Sequence, residues 1–309
     1  MTTVLFISEW SDPDAWREAL AQHVPDLDFR IWPDAGNPGD VEFALAWQAP
    51  LRFYDAFPNL RAIISLGAGV DHLFRDPDIP QTMPLARVVD PTLTRMMCDY
   101  VLAAVLRYHR DFDVYERAQA QKRWSGPRAT PASRRTIGIL GMGELGTAVA
   151  TMLAGHGFAV RGWSRSPRQL SGIDHFTGPG LQGFLSETEI LVNLLPLTAA
   201  TKNILNRETL SWLPKGACFV NVGRGAHVDE AALVEQLDRG HIRGATLDAF
   251  RVEPLPDGHP FWTHPRVLVT PHVASFTDPI SAAPAIAENF LRARRGEPLR
   301  HAVTRAQSV

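Results

Sequence analysis

Short apolar runs alternate with amphipathic stretches along most of the chain. In the first third, Val4 to Ile7, Asp28 to Ile31, Phe43 to Trp47, Ala62 to Leu66 and Leu85 to Val89 have strand length. Asp14 to His23 has helical periodicity, and Asp12-Pro13 before it is a helix-start signal. This alternation predicts a small parallel sheet with helices on its faces. Thr92 to Lys122 reads as one long helix, with Tyr100, Val101, Ala104, Val105, Tyr108 and Phe112 on one stripe. A helix of that length suits either a core position or a dimer contact.

Arg123 to Arg135 (RWSGPRATPASRR) has the composition of a linker, so a domain boundary is expected there. Strands follow at Thr136 to Leu140, Phe158 to Trp163, Ile190 to Leu195, Ala217 to Val222, Ala245 to Leu247 and Val267 to Val269. Helices are expected over Thr147 to Ala154, Asp229 to Arg239 and Thr277 to Arg295, with Pro284 kinking the last. Gly172 to Gly183 reads as a loop. The predicted class is α/β: two Rossmann-like or flavodoxin-like parallel-sheet domains, with an active-site cleft expected between them.

Composition narrows the classes. A chain of 309 residues exceeds one ordinary core, which favours two domains. The net charge of −2, without a basic tract, gives no electrostatic case for nucleic acid. No apolar run reaches membrane-spanning length. The N-terminal MTTVLFISEWSDPD lacks the pattern of a signal peptide. Cys98 and Cys218 have no metal-ligand neighbours, and reduced thiols in a cytoplasmic protein are expected. No metal site is predicted.

Chemistry enters at TIGILGMGELG, residues 136–146. Gly141, Gly143 and Gly146 have G-x-G-x-x-G spacing between a predicted strand and a helix, the context of a dinucleotide-binding turn. The first glycine permits the turn, the second admits a pyrophosphate, and the third lets helix and strand pack closely. Met142, Glu144 and Leu145 complete the loop, and the helix N-terminus offers free N–H groups to the phosphates. At the next strand end, where NAD-binding chains carry an acidic residue, stand Ser164, Arg165 and Ser166, with Arg168 nearby. Hydroxyls and guanidinium groups bind a 2′-phosphate that a carboxylate would repel, so NADP(H) is expected, with NADH weaker. The alternative is that both arginines are merely solvated surface charges.

Three later strand ends carry Arg224 (NVGRG), Glu253 (DAFRVEP) and His272 (TPHVA). Hydride transfer to a 2-keto acid needs a cation for the carboxylate, a proton donor, and an anion that keeps the donor protonated. The three residues fit those roles. Singly, each has an ordinary reading as an ion pair, a cap or a core histidine. Gly67 to Asp71 ends the fourth strand, and reads equally as a ligand turn or a plain one.

The segments GMGELG, NVGRG, DAFRVEPLP and TPHVA resemble the D-isomer-specific 2-hydroxyacid dehydrogenase family in order and spacing over nearly the whole chain. LGAGVDH, LLPLTAATKNIL and GWSRS are most similar to its glyoxylate/hydroxypyruvate reductase A branch. The resemblance implies that Arg224, Glu253 and His272 are catalytic. It also implies that the Ala68 and Gly69 amides hold the substrate carboxylate, and that Leu195, Pro196, Val222, Gly223, Asp248 and Ala274 line the cofactor. Residues 1–98, completed by 281–309, would be the substrate-binding domain. Residues 99–280, with the long helix, would be the NADP-binding domain. Trp47 would face the substrate, and Trp124 would reach the partner's site in a homodimer; ordinary packing is the alternative for both. The implied reaction is NADPH-dependent reduction of glyoxylate and hydroxypyruvate. A reductase of bulkier 2-keto acids such as phenylpyruvate, and a nucleotide-sensing protein like the C-terminal-binding corepressors, are the competing readings.

Overall fold

The structure, a computed structural model, describes residues 1–167 and 170–304. The chain forms two compact units, Met1–Leu93 with the residues from Phe276 onward, and Thr94–Ser275.

In the first unit, β1 (Thr2–Ile7), α1 (Pro13–Ala21), β2 (Leu27–Ile31), β3 (Phe43–Ala46), β4 (Ala62–Ser65), α2 (Asp71–Phe74) and β5 (Leu85–Arg87) follow in order. The strands pair in parallel in the order β2-β1-β3-β4-β5. Burial of both faces explains why β1, β3 and β4 read as apolar runs rather than alternations. The Asp12 carboxylate caps α1 by accepting from the Asp14 amide at 3.0 Å, with Pro13 in the first turn. Trp16, Ala19 and Leu20 of α1 share a core with Ala283, Ile286 and Phe290 of the C-terminal helix (Pro279–Arg294), which contains Pro284. Each large side chain there contributes about 1.5–3 kcal/mol of burial.

The second unit contains most of α3 (Pro91–His109), then α4 (Phe112–Ala120), β6 (Thr136–Leu140), α5 (Glu144–Gly155), β7 (Ala159–Ser164), β8 (Ile173–Thr177), α6 (Leu181–Leu185), β9 (Ile190–Asn193), α7 (Arg207–Ser211), β10 (Ala217–Asn221), α8 (Glu230–Asp238), β11 (Ile242–Leu247) and β12 (Val267–Val269). Its seven parallel strands run β12-β11-β10-β9-β6-β7-β8, a doubly wound sheet. Strand order reverses between β6 and β9, and such a reversal opens a ligand crevice at the strands' C-terminal ends.

Four expectations change. The single helix over Thr92 to Lys122 is two helices. Asp111, in the left-handed conformation at φ 59°, ends the first. Arg243 of β11 fixes that stop, donating to the Tyr108 carbonyl at 2.7 Å and to Asp111 at 2.6 Å. Phe112 therefore leaves the buried stripe and is exposed. The stretch 123–135 does not separate the units: it lies within the second, where Gly126 sits against the Tyr115 ring. Residues 172–183 contain β8 and the start of α6 rather than a loop, because β8 pairs with β7 from Ile173 to Thr177. Lastly, α5 begins at Glu144, three residues before the expected start.

Candidate active site

The three glycines after β6 differ in what surrounds them. Gly141 has φ +99°, and a Cβ there would lie 2.7 Å from the Leu194 carbonyl. At Gly146 a Cβ would fall 1.8 Å from the Gly141 carbonyl oxygen, so this glycine sets the helix-to-strand distance. Gly143 has nothing within 4 Å of that position. It caps α5, and the first amides of a helix have no acceptor within the helix itself. That open cradle at a helix N-terminus fits a pyrophosphate. Met142 turns inward against Gly162, whereas Glu144 is exposed and Leu145 half-buried.

At the end of β7, the half-buried Ser164 accepts from His175 Nε2 at 2.9 Å and donates to the Ser166 carbonyl at 2.8 Å. Arg165 and Ser166 are exposed. Arg168 lies outside the described residues. No carboxylate occurs between Val160 and Leu170 to oppose an anion here.

Three loops beyond β10, β11 and β12 bring Arg224, Glu253 and His272 together. His272 Nδ1 lies 2.8 Å from Glu253 Oε2, and the other carboxylate oxygen accepts the Phe250 amide at 2.8 Å. Burial pushes the Glu253 carboxyl up, but the His272 contact, the Phe250 amide and the Arg224 charge together hold it below the usual carboxylate value. The Arg224 guanidinium donates to the Gly223 carbonyl at 2.8 Å. Gly225 lets this loop close on the next: a Cβ there would meet the Phe250 carbonyl carbon at 1.9 Å.

His272 has φ +56°, an unfavourable region for a side chain with a Cβ. The buried Asp248 carboxylate holds this turn, accepting from Val273 N and Ala274 N at 2.9 Å each and from Thr270 Oγ1 at 2.6 Å. Thr270 in turn accepts from the Tyr100 hydroxyl at 2.6 Å, and burial pushes that phenol up to about 12. Sequence reasoning placed Asp248 beside the cofactor and missed this clasp, together with Tyr100 and Thr270. Leu195, Val222, Gly223 and Ala274 are buried, and Pro196 is exposed in the loop after β9.

In the first unit, the turn after β4 has its own order. The Gln48 amide donates to His72 Nδ1 at 3.3 Å, so Nε2 carries the proton and donates to Ser65 Oγ at 2.9 Å. Ser65 donates to the Gly69 carbonyl at 2.8 Å, which shapes the Ala68-Gly69 segment. The Trp47 ring lies 4.6 Å from the His72 ring and over Gly67, where a Cβ would be 2.7 Å away. His72 is thus a contributor that sequence reasoning passed over. In the second unit, Trp124 is fully exposed.

Residues 102–274 match the family described as D-isomer specific 2-hydroxyacid dehydrogenase, NAD binding domain. This chain belongs to that family. It is 39% identical over 303 residues to glyoxylate/hydroxypyruvate reductase A of Serratia proteamaculans, covering 95% of this chain and 96% of the relative. A D-isomer specific 2-hydroxyacid dehydrogenase from Xanthobacter autotrophicus, solved with NADPH and MES, superposes with a TM-score of 0.95 at 46% identity, covering 100% of this chain and 99% of that one. The NADPH-dependent glyoxylate/hydroxypyruvate reductase of Sinorhizobium meliloti, solved with NADP and sulfate, gives 0.92 at 34% identity, with all of both chains covered. Among the described residues no helix is long and apolar enough to cross a membrane.

Proposed function

We propose that this chain is an NADPH-dependent reductase of small 2-keto acids, converting glyoxylate to glycolate and hydroxypyruvate to D-glycerate. The observation that carries the reading is the His272–Glu253 pair at 2.8 Å, with the Arg224 charge acting on the same carboxylate. It lies on the second unit, which also carries the open Gly143 cradle.

The glycine loop and the first turn of α5 would hold the pyrophosphate, and Ser164, Arg165, Ser166 and Arg168 the 2′-phosphate. Leu195, Pro196, Val222, Gly223, Asp248 and Ala274 would line the nicotinamide. When bound, the reduced nicotinamide supplies the hydride. Arg224 binds the substrate carboxylate and polarises the keto oxygen. His272 gives its proton to that oxygen as the alkoxide forms. Glu253 accepts the hydrogen bond from His272 Nδ1, which orients the ring and assigns proton transfer to Nε2. In the first unit, the Ala68 and Gly69 amides would bind the carboxylate, and Trp47 would limit substrate size. The chain would act in the cytoplasm as a homodimer, with Trp124 at the partner's site; two unpaired cysteines and the bare Trp124 ring support this.

NADPH oxidation followed with glyoxylate, hydroxypyruvate and phenylpyruvate tests the reading. Turnover of the two small acids is expected. Tight NADPH binding without turnover of any keto acid sinks it.

A further inference from the structure

A buried polar cluster lies behind Arg224, and the chemistry above does not use it. Asn193 ends β9, Asn221 ends β10, and His227 follows in the next turn; their exposures are 0%, 1% and 0%. Asn193 Nδ2 donates to Asn221 Oδ1 at 2.8 Å and to His227 Nδ1 at 2.9 Å, while its Oδ1 accepts the Leu195 amide at 3.2 Å. The Arg224 amide donates to the same His227 Nδ1 at 3.1 Å. Two donors aimed at Nδ1 make it an acceptor, so the ring proton sits on Nε2. That nitrogen lies 3.2 Å from the Pro196 carbonyl, to which it donates. Asn221 Nδ2 donates to the Arg224 and Ala249 carbonyls at 3.3 and 3.2 Å. Gly223 leaves room for the ring, since a Cβ there would come within 3.2 Å of His227 Nδ1.

A histidine with this burial is often a core residue whose polar atoms are simply satisfied. Here the partners are specific: one ring nitrogen holds the main chain of Arg224, and the other holds the loop that follows the adjacent strand β9. Both Arg224 main-chain groups are tied to this cluster, its amide to His227 and its carbonyl to Asn221.

We propose that His227, as the Nε2–H tautomer, is a positioning residue that fixes the main chain from which the Arg224 guanidinium projects. The proposal rests on the reading of Arg224 as the carboxylate-binding group. His227→Asn keeps an acceptor near the place of Nδ1, whereas His227→Gln keeps a donor near the place of Nε2 and abandons Arg224.

The test measures glyoxylate kcat and KM, NADPH Kd and Tm for both variants. His227→Asn should keep kcat/KM within about threefold, and His227→Gln should lower it roughly 10- to 100-fold, chiefly through KM, with NADPH Kd little changed. Equal losses in the two variants, or losses that follow Tm, overturn the assignment. A ¹⁵N-histidine spectrum of the wild type reads the ring without turnover or mutation. The Nε2–H tautomer is expected, and a proton on Nδ1 overturns the proposal. If the wild type reduces no keto acid, the proposed function fails, and this spectrum still decides whether His227 makes the hydrogen bonds the proposal needs.

Discussion

Gly143→Ala separates cofactor binding from folding. The added methyl group meets nothing within 4 Å, and the residue's φ of −76° is one that alanine adopts readily. Restricting the unfolded chain stabilises by about 0.4–1 kcal/mol. Alanine is a poorer helix cap than glycine, which removes about the same amount. These terms oppose each other, so Tm should move by no more than about 2 °C. In the open cradle, however, the methyl stands where a pyrophosphate must approach the backbone. Loss of that approach should weaken NADPH by roughly 100-fold, equivalent to about 2.7 kcal/mol. Gly146→Ala supplies the contrast, because its Cβ falls 1.8 Å from a carbonyl oxygen that no side-chain rotation relieves. It should lose stability and binding together. Calorimetric titration with NADPH beside thermal unfolding makes the comparison. A Gly143→Ala protein that binds NADPH with wild-type affinity refutes the assignment of the cradle.

Arg165→Ala should raise KM for NADPH roughly 10- to 100-fold and leave NADH nearly unchanged, since a charge-assisted contact contributes about 1.5–3 kcal/mol; equal effects on both cofactors count against the 2′-phosphate site. Reduction consumes the proton that His272 gives to the keto oxygen, so kcat/KM should fall as pH rises, and Glu253→Gln, which removes the carboxylate that orients the ring, should lower kcat. The Glu253 carboxyl is held below 4.5, so its contribution to stability is complete above that pH and disappears as pH drops through the lower native value. The Tm advantage of wild type over Glu253→Gln should therefore narrow in acid, and a gap that widens contradicts the pairing. Thr270→Val leaves the Tyr100 hydroxyl and Asp248 each short of a partner, which should cost about 1–3 kcal/mol and reduce kcat; unchanged Tm and kcat would show the clasp to be idle. Trp124→Ala should lower activity without altering a dimer seen by sedimentation, and wild-type kinetics in such a dimer remove the cross-subunit role.

The central strands β1, β3, β4, β6, β9 and β10 were legible because burial on two faces leaves unbroken apolar runs that single-sequence patterns detect. β8 was not, since an edge strand with one neighbour retains polar positions such as Asp174 and His175. The break between α3 and α4 was also hidden. It depends on Arg243, 132 positions beyond Asp111, and no local pattern carries that information. The site followed the same division. Arg224, Glu253 and His272 announced themselves by their places after strands and beside glycine or proline. Their supports, Tyr100, Thr270 and His227, lie in unremarkable contexts, and only the fold gives them partners.

The left-handed turn at His272 explains why the support matters as much as the set itself. A non-glycine residue at φ +56° costs on the order of 1 kcal/mol, so the chain does not hold it without compensation. Asp248 supplies that compensation through the two amides that follow His272 and the hydroxyl that precedes it. The ring is then directed by its own backbone, and Glu253 needs only to fix the rotation and the proton. Arg224 is built the same way, with His227 and Asn221 holding its main chain while the guanidinium keeps its reach. Anchoring through the backbone places both side chains without making their terminal atoms the anchors, and leaves Glu253 and the Gly223 carbonyl to set the final orientation of each.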